Sequence, residues 1–356
     1  MNSQTSMSTP RLTPEFALAV ACCSHAIGVP VDLETLAAKI EDDRFLAVLK
    51  RHRIEGLSSR ALAGMPALRP SMASTLERLG HEVAEEGLRV ALQCRELRDA
   101  FAADDVDMIF LKGLVTGKLA FGNALVKRSW DIDILVQEQE VSRAAIVLKR
   151  LGYVPEIRAD VASWHRVHKE STWMPPDGAP VELHSRLADN RSLLPGIGPE
   201  SPRQHVEVVP GLVLPTLSGD ELTAYLAVHG ASSAWFRLKW ITELAGIVRQ
   251  GSAGTVGESA GRLSVHEVSR AVGQALLLAN RLFGSPVSPR VCSEPMVKAL
   301  TRVAMAQMSN PREPTGRPLG TATIHLSQLL LQPGVGFKAR EAGRQAREIV
   351  HRHLRQ

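Results

Sequence analysis

The spacing of apolar residues divides the chain into three consecutive parts with different predicted secondary structure. In residues 13–103 the apolar positions recur at helical spacing, which predicts a set of amphipathic helices. Asp32 stands where a helix N-cap is expected, because its carboxylate can accept a hydrogen bond from a first-turn N–H. Residues 70–103 predict one long helix or two joined helices. Residues 1–12 are rich in Ser and Thr, and we expect a flexible N-terminus there.

The middle part, residues 104–215, changes to short apolar runs separated by turns. Such runs predict strands that alternate with helices. Strands are expected in VDMIFLKG (106–113), KRSWDIDILV (127–136) and PVELHSRL (180–187) and near 153–157 and 171–174, with short helices at 114–122 and 140–152. Over residues 104–190 the predicted order is β-α-β-α-β-β-β. This order predicts a small mixed sheet with helices on one face.

The third part, residues 216–335, returns to helical spacing and predicts a C-terminal helical domain. Ser218, followed three residues later by Glu221, predicts a capping box at its first helix. We expect a glycine-rich linker at 250–261, two further helices near 264–283 and 293–308, and a basic C-terminal helix at 336–356. The chain as a whole is therefore predicted to be an α+β protein in which helical regions flank a small mixed sheet.

Composition excludes several classes of protein. Apolar residues make up 44% and charged residues 22% of the 356 residues, which excludes a mostly disordered, collagen-like or rod-like chain. The four cysteines form no CxxC pair and no zinc-binding spacing. No apolar run approaches the roughly 20 residues that a membrane span requires, and a secretory signal pattern is missing at the N-terminus. We therefore expect a soluble, cytoplasmic protein.

Positive charge is concentrated near the C-terminus. The formal net charge is +5, and residues 336–356 contribute six basic and two acidic side chains. The rest of the chain is nearly neutral, which argues against a long nucleic-acid substrate, because neutralising many phosphates requires many basic residues. The basic helix is expected either as a solvated helix end or as a contact surface for an acidic partner.

Two aspartates in the predicted strand RSWDIDILV are the strongest candidates for chemistry. Strand side chains alternate between faces, so Asp131 and Asp133 are expected to point the same way. Paired carboxylates repel each other unless a cation lies between them, and Mg²⁺ binds carboxylates together with substrate phosphates. Glu182, in the predicted strand PVELHSRL, is a candidate third carboxylate for a two-metal site.

The order of four motifs resembles that of a known enzyme superfamily. FLKG, RSWDIDILV, a helix that ends in LGY, and VELHSRL follow one another along the chain. They resemble the nucleotidyltransferase superfamily of the DNA polymerase β type. More narrowly, they resemble the uncharacterised bacterial nucleotidyltransferase family proteins often found near natural-product genes. The resemblance covers most of the chain and implies a nucleotidyltransferase core at 104–215.

The resemblance implies roles for individual residues. Asp131, Asp133 and Glu182 match the carboxylates that bind the metals and take part in catalysis, with Mg²⁺ as the expected ion and Mn²⁺ as the alternative. Gly113 matches the glycine that lies against the nucleotide phosphates, and its small size also suits that approach. An ordinary turn glycine is the alternative. Lys112 matches a basic position of the narrower family, which implies a phosphate contact, with surface solubility or a strand-end ion pair as the alternative.

Further candidate nucleotide contacts lie on the core and on the C-terminal helices. Arg128 matches a second basic position of the narrower family, with a strand-end ion pair as the alternative. His184 is expected on the same face as Glu182, where it would orient the acceptor or a metal-bound water, or form a hydrogen bond at the rim. Lys239, like His229 and Arg237, is placed to reach over a nucleotide, with packing as the alternative.

Several residues depart from the motif pattern or are expected to be structural. Leu114 follows Gly113, where the superfamily usually has Ser, and Thr116 is the candidate substitute for the missing hydroxyl. Trp130 directly precedes Asp131, and we expect it to face away and pack. His165 and His168 fit one helical face but lack the further ligands that zinc needs, and Trp235 and Trp240 are expected as core anchors.

The residues and the resemblance together predict a Mg²⁺-dependent nucleotidyltransferase. It would transfer a nucleoside monophosphate from an NTP, with ATP as the expected donor, and release pyrophosphate. The acceptor would be a hydroxyl, phosphate or carboxylate of a small molecule, peptide or protein. A non-catalytic nucleotide-binding or interaction module on the same fold is the alternative, and a nucleic-acid-binding protein that acts through the basic end is a third hypothesis.

Overall fold

The computed structural model describes residues 12–251 and 269–353. Most of the predicted flexible N-terminus and of the predicted glycine-rich linker lies outside the described residues, as do the last three residues of the basic end. Within the described ranges the protein has the predicted α+β architecture, with helices before and after a small mixed sheet. None of the helices described is both long and apolar enough to cross a membrane.

Five helices form the N-terminal part of the described chain. They are α1 Pro14–Ala26, α2 Leu33–Ala37, α3 Asp42–His52, α4 Glu55–Ala61 and α5 Pro70–Ala103. The Asp32 carboxylate accepts a hydrogen bond from the Thr35 N–H, so its predicted N-cap role is confirmed. Residues 70–103 form one uninterrupted helix of 34 residues, which decides for the single long helix.

The central part contains the mixed sheet and three helices. The elements are β1 Met108–Phe110, α6 Leu114–Phe121, β2 Ile132–Val136, α7 Val141–Arg150, β3 Val154–Pro155, α8 Val161–Val167, β4 Glu170–Met174 and β5 Val181–His184. The five strands lie in the order β1-β2-β5-β4-β3, with β2 and β5 parallel and the other neighbours antiparallel. The predicted order of elements is confirmed, except that the short helix α8 intervenes before β4.

A separate two-stranded hairpin follows the sheet and was not predicted. It consists of β6 Arg203–Val209 and β7 Leu212–Leu217, which pair in antiparallel fashion. The sequence RQHVEVV in β6 does alternate polar and apolar residues, which is a strand signal. The hairpin lies against β1 and α6, so it covers the edge of the core that lies farthest from β3.

The C-terminal part is helical, as predicted. Its described helices are α9 Gly219–Ser232, α10 Leu238–Gly251, α11 Ser269–Phe283, α12 Pro289–Ser293, α13 Pro295–Met308, α14 Ala322–Leu330 and α15 Val335–His353. Ser218 is the N-cap of α9, but its side chain makes no capping bond. The predicted capping box is wrong because the Ser218 N–H, which Glu221 would have to bind, already donates to the Pro202 carbonyl at 3.0 Å.

Trp235 fills the break between α9 and α10. Its side chain is fully buried, and a Cβ on Gly230 would lie 2.3 Å from its ring. Ala234 and Trp235 both have positive φ, and these two residues turn the chain between the helices. The prediction of Trp235 as a core anchor is confirmed, whereas Trp240 is only partly buried.

Two hydrophobic cores are formed by the residues that the structure describes. One core contains residues of both N-terminal and C-terminal helices, for example Leu18 of α1 and Leu244 of α10. The other core lies between the sheet and its helices and includes Ile134 of β2. The long helix α5 contributes Met72 to the first core and Phe101 to the second. Helices from the two ends of the chain therefore form one body, which faces the sheet.

Candidate active site

The carboxylates predicted on separate strands are brought side by side by the pairing of β2 and β5. Asp133 lies directly opposite Glu182 in this parallel register. His184 follows two residues later on β5, which places it on the same face as Glu182. One ligand atom from each of Asp133, Glu182 and His184 lies within 4.8 Å of the other two. This donor set is of the kind that binds a divalent cation.

Two basic side chains contact Asp133. Lys112 Nζ lies 2.8 Å and His184 Nε2 lies 3.1 Å from Asp133 Oδ1. Burial by itself would raise the pKa of Asp133, but Lys112 and His184 hold that pKa well below its usual range. Burial would likewise lower the pKa of Lys112, but Asp133 raises it far above normal. The charge of Asp133 is thus balanced by the protein itself, and Lys112 lies against this carboxylate.

The negative charge of Glu182 is less completely balanced by nearby positive charges than the charge of Asp133. Its carboxylate is partly exposed and lies 3.6 Å from His184 Nε2. Burial raises the pKa of Glu182; the His184 contact opposes this rise, and the negative charge of Asp133 adds to it. A carboxyl group with a raised pKa beside a second carboxylate is a candidate proton acceptor.

In the pair formed by Asp133 and Glu182, one buried carboxylate oxygen has no hydrogen-bond partner among the described residues. Asp133 Oδ2 makes no hydrogen bond within the described part of the chain. Carboxylate oxygens are the ligands that Mg²⁺ and Mn²⁺ prefer, so the residues present fit a divalent cation. Asp131 lines the same cavity but does not belong to the cluster within 4.8 Å. It precedes β2, which begins at Ile132, and the strand pairing that positions Asp133 therefore does not hold it.

Gly113 forms the turn between β1 and α6. Its φ of 71° and ψ of −124° lie in a region that only glycine adopts readily. A Cβ at this position would lie 3.3 Å from Ser129 Oγ. Ser129 Oγ is buried, lines the cavity, and has no hydrogen-bond partner among the residues described. A serine hydroxyl therefore stands beside this turn, although Leu114 rather than Ser follows the glycine.

Thr116 does not take the place of that serine. Its side chain is fully buried, and its Oγ1 lies 3.1 Å from the Gly113 carbonyl and 3.0 Å from Glu243 Oε2. Lys127 Nζ donates to the same hydroxyl oxygen at 3.1 Å. The expectation that Thr116 contacts phosphate is wrong, because its hydroxyl is used within a buried network that also contains the Lys127–Glu243 ion pair.

Replacing Gly113 with alanine is expected to destabilise the protein by about 2–3 kcal/mol, because its backbone conformation is strained for any residue with a Cβ. The matched control is Gly122→Ala at the other end of α6, where φ is 69° and no atom lies within 4 Å of the new Cβ. We expect about 1 kcal/mol there. Urea unfolding measures both values, and equal losses would contradict a special role for the Gly113 turn.

Arg128 forms the strand-end ion pair that was the alternative to a phosphate contact. Its Nη1 lies 2.5 Å from Glu86 Oε1. The guanidinium carbons of Arg53 and Arg128 lie 5.2 and 5.5 Å from the centre of the Trp130 ring. Trp130 is 52% exposed, so the expectation that it packs is wrong. It lies in the segment before β2, where strand alternation does not yet apply.

Helices α9 and α10 provide the opposite wall of the cavity. His229, Arg237 and Lys239 all line it, but Arg237 is held by two oxygens of Glu313 at 2.9 and 3.1 Å. Burial lowers the pKa of His229 well below its usual value, so this side chain is neutral. Burial and the nearby charge of Lys127 lower the pKa of Lys239 to about 7. Lys239 therefore changes its charge near neutral pH.

The affinity for an NTP is expected to fall as the pH rises from 6 to 8. Lys239 carries its proton below a pKa of about 7 and loses it above that value, and only the protonated amine attracts phosphate. Loss of this one charge is expected to weaken binding by about threefold to tenfold. Titration calorimetry at both pH values, compared with Lys239→Met, isolates the effect because the variant retains every other titrating group. An identical pH profile in the variant would contradict this role of Lys239.

The histidines of α8 and its C-terminal end are structural. His165 Nδ1 and Nε2 lie 2.9 Å from Ser185 Oγ and Ser171 Oγ, respectively, so both ring nitrogens are occupied. The His168 ring stacks on Trp164 with 3.8 Å between ring centres. These contacts give both histidines a structural role.

The cavity above the carboxylates has a volume of about 320 Å³ and lies between the sheet and the helical body. Sequence reasoning missed Lys169, Glu170 and Ser129 among its lining residues. Glu170 Oε2 lies 3.2 Å from His184 Nδ1, because the antiparallel register of β4 and β5 pairs these two residues. No local sequence signal specifies this register. Burial would raise the pKa of Glu170, but Lys169 and His184 lower it to about 2.

The fold and the site together define a class of protein, an α+β nucleotidyltransferase core with acidic residues on two neighbouring strands. Residues 38–284, more than half of the 356-residue chain, match the family described as "Uncharacterised nucleotidyltransferase", and the chain belongs to this family. The predicted resemblance to the nucleotidyltransferase superfamily is thereby confirmed. No curated protein matches the chain. Membership implies nucleotidyl transfer in general, an NTP as substrate and a divalent metal ion as cofactor.

Proposed function

We propose that the chain transfers a nucleoside monophosphate from an NTP, with ATP as the expected donor, and releases pyrophosphate. The acceptor is a hydroxyl, phosphate or carboxylate of a small molecule, peptide or protein. The observation that carries this proposal is the register of β2 and β5. It sets Asp133 opposite Glu182 at a cavity that the Gly113 turn also lines.

Asp131, Asp133 and Glu182 would hold Mg²⁺ or Mn²⁺ through carboxylate oxygens, and His184 would stay hydrogen-bonded to Asp133 beside the ion. When bound, the cation would reduce the negative charge of the triphosphate and polarise its α-phosphate. The unpartnered Oδ2 of Asp133 supports this assignment, as does the position of Glu182 directly opposite Asp133 in the sheet.

Five residues are proposed as nucleotide contacts, namely Lys112, Gly113, Arg128, His184 and Lys239. The first two stand where β1 leads into α6, and the N-terminus of a helix attracts anions. Lys239 approaches from the helical wall of the cavity, opposite the sheet. Arg128 is held by Glu86 and would act through its charge rather than through a free guanidinium.

The proposed reaction is an in-line displacement at phosphorus. An oxygen of the acceptor attacks the α-phosphorus and forms the new P–O bond. The bond from the α-phosphorus to the bridging oxygen breaks, and its electron pair leaves with pyrophosphate. A hydroxyl acceptor also loses its proton, and Glu182 is the proposed base because burial raises the pKa of its carboxyl group.

A non-catalytic nucleotide-binding or interaction module is the second candidate. The Lys112–Asp133 ion pair favours it, because this pair balances the carboxylate without a metal ion. The module would bind nucleotide without releasing pyrophosphate. For either candidate we propose a cytoplasmic location and a role in natural-product biosynthesis.

Thermal unfolding of the full chain with each of the four NTPs, with and without Mg²⁺, tests the proposal. An NTP at about 100 times its dissociation constant is expected to add roughly 2.7 kcal/mol of stability, and only with Mg²⁺. Release of pyrophosphate in the presence of acceptor mixtures then distinguishes the enzyme from the module. A shift that does not depend on Mg²⁺ would favour the module, and the absence of any shift with every NTP would overturn both candidates.

A further inference from the structure

A second and larger cavity adjoins the candidate active site. Its volume is about 860 Å³, and it lies between α8, strand β4, the segment 186–192 and the basic helix α15. Pockets that enclose small organic ligands have volumes of roughly 300–1,000 Å³. The cavity is therefore large enough for a small molecule in addition to a nucleotide in the first cavity.

We propose that this second cavity is the acceptor site and that it takes a small molecule with an anionic group, a phosphate ester or a carboxylate. The inference rests on the proposed function, and it names the chemical class of the acceptor. Three observations support this proposal. They are the positive charge of the cavity wall, the two available arginines on α15, and the wall that the cavity shares with the active site.

The cavity wall has an excess of positive charge. Its basic residues are Arg166, Lys169, Arg186, Arg191, Arg340, Arg344 and Arg347, and its acidic residues are Glu156, Glu170, Asp189 and Glu348. The excess of basic over acidic side chains is three on this wall and one on the wall of the first cavity, where seven basic side chains meet six acidic ones. Concave surfaces lined by one sign of charge attract ligands of the opposite sign.

Two arginines of α15 are available for an anion. Arg340, Arg344 and Arg347 share one face of the helix, because they are spaced by four and three residues. Arg344 is held by Glu341 at 2.6 Å and by Glu348 at 3.0 Å. Arg340 and Arg347 are exposed to the cavity, and neither has an ion-pair or hydrogen-bond partner within the described residues. A guanidinium group binds phosphate and carboxylate through two parallel hydrogen bonds.

A buried nitrogen of the Arg186 guanidinium also supports an anion site in this cavity. Arg186 donates to the carbonyl oxygens of His165 at 2.8 Å and Val167 at 2.6 Å, which orients the side chain along the cavity wall. Its Nε is buried and has no hydrogen-bond partner among the described residues. The basic helix was expected either as a solvated end or as a contact surface. The cavity favours the second, with a small anion as the partner.

The second cavity lies next to the active site, so an anionic molecule bound in it would be close to the reacting nucleotide. Lys169, Glu170 and Asp189 line both this cavity and the one above Asp133. Glu170 in turn lies 3.2 Å from His184, a member of the carboxylate cluster. A molecule whose anionic group is held by Arg340 and Arg347 therefore extends toward the shared wall, where its nucleophilic oxygen would meet the nucleotide.

Anion binding to the full chain tests this inference. Inorganic phosphate and succinate are titrated separately into the wild type and into the variant R340Q/R347Q, at low ionic strength, by calorimetry. Each titration is run without nucleotide and with Mg²⁺ and a non-hydrolysable ATP analogue, which blocks phosphate binding in the first cavity. We expect the double substitution to weaken the preferred anion by at least about tenfold, the usual effect of losing charge-assisted hydrogen bonds. Preference for phosphate or succinate identifies the anionic group of the acceptor.

The matched control is K338Q/R312Q, which removes two exposed positive charges that do not line the cavity. It is expected to change anion affinity by less than about twofold at equal ionic strength. Equal weakening in both variants, or no binding of either anion to the wild type, overturns the acceptor site even when the NTP binds. Arginine-dependent anion binding without any NTP binding overturns the proposed function instead.

Discussion

Asp133→Asn is expected to lower the rate of nucleotidyl transfer by at least about 100- to 1000-fold, the usual effect of removing one strong electrostatic contact to a transition state. Asn retains an oxygen that accepts hydrogen bonds from Lys112 and His184, which contact Asp133 at 2.8 and 3.1 Å. It removes the negative charge that a divalent cation requires. We therefore expect a folded variant with reduced thermal stability, because two basic side chains lose their anionic partner.

Pyrophosphate release and Mg²⁺-dependent NTP binding are the two measurements for this variant. Asp177→Asn, on the exposed turn before β5, makes the same chemical change at a residue that does not line the cavity, and it is expected to match the wild type. Asp131→Asn tests the other aspartate, which lines the cavity but lies outside the three-residue cluster. We expect a smaller loss there than at Asp133. Full activity of Asp133→Asn in a folded protein would refute the metal site.

Lys127→Met is expected to destabilise the protein by about 3–5 kcal/mol, because it leaves a buried carboxylate without its counter-charge. Lys127 and Glu243 are 5% and 3% exposed, and Lys127 Nζ lies 2.8 Å from Glu243 Oε2. Lys127 precedes β2 and Glu243 lies on α10, so the pair connects the sheet part to the helical body. Its loss therefore weakens the junction that forms the active-site cavity.

Urea unfolding of Lys127→Met and of the double variant K127M/E243M measures this effect. The double variant is expected to recover part of the loss, since it removes both buried charges together. Arg89→Met removes the exposed Arg89–Glu85 pair, where the side chains are 69% and 65% exposed, and we expect a change below about 1 kcal/mol. A loss in Lys127→Met no larger than in Arg89→Met would contradict the structural role of the buried pair.

The local spacing of apolar residues was sufficient to predict much of the fold. The 34-residue helix α5 follows directly from the helical spacing of residues 70–103. The order of strands and helices over 104–190 was predictable for the same reason, apart from the short helix α8. The errors occurred where a distant contact decided the outcome. The Ser218 N–H, for example, donates to Pro202 rather than to the predicted capping partner.

The candidate site was predictable in its residue types but not in its contacts. The spacing of Asp131 and Asp133 and the motif around Glu182 were visible in the chain. The ion pair of Lys112 with Asp133 was not visible in the sequence, because it depends on how the end of β1 lies beside β2. The unpartnered hydroxyl of Ser129 also escaped notice, since only the folded turn places it next to Gly113.

The sequence by itself determined most of the order of the elements, the family and three acidic residues of the candidate site, because local patterns and motifs along the chain specify each of these. Only the tertiary structure decided that the N- and C-terminal helices share one core. It alone decided that β5 lies between β2 and β4, which sets Asp133 opposite Glu182 and brings His184 to Glu170. Strand order and register depend on packing between distant segments, and a local pattern of apolar residues leaves both unspecified.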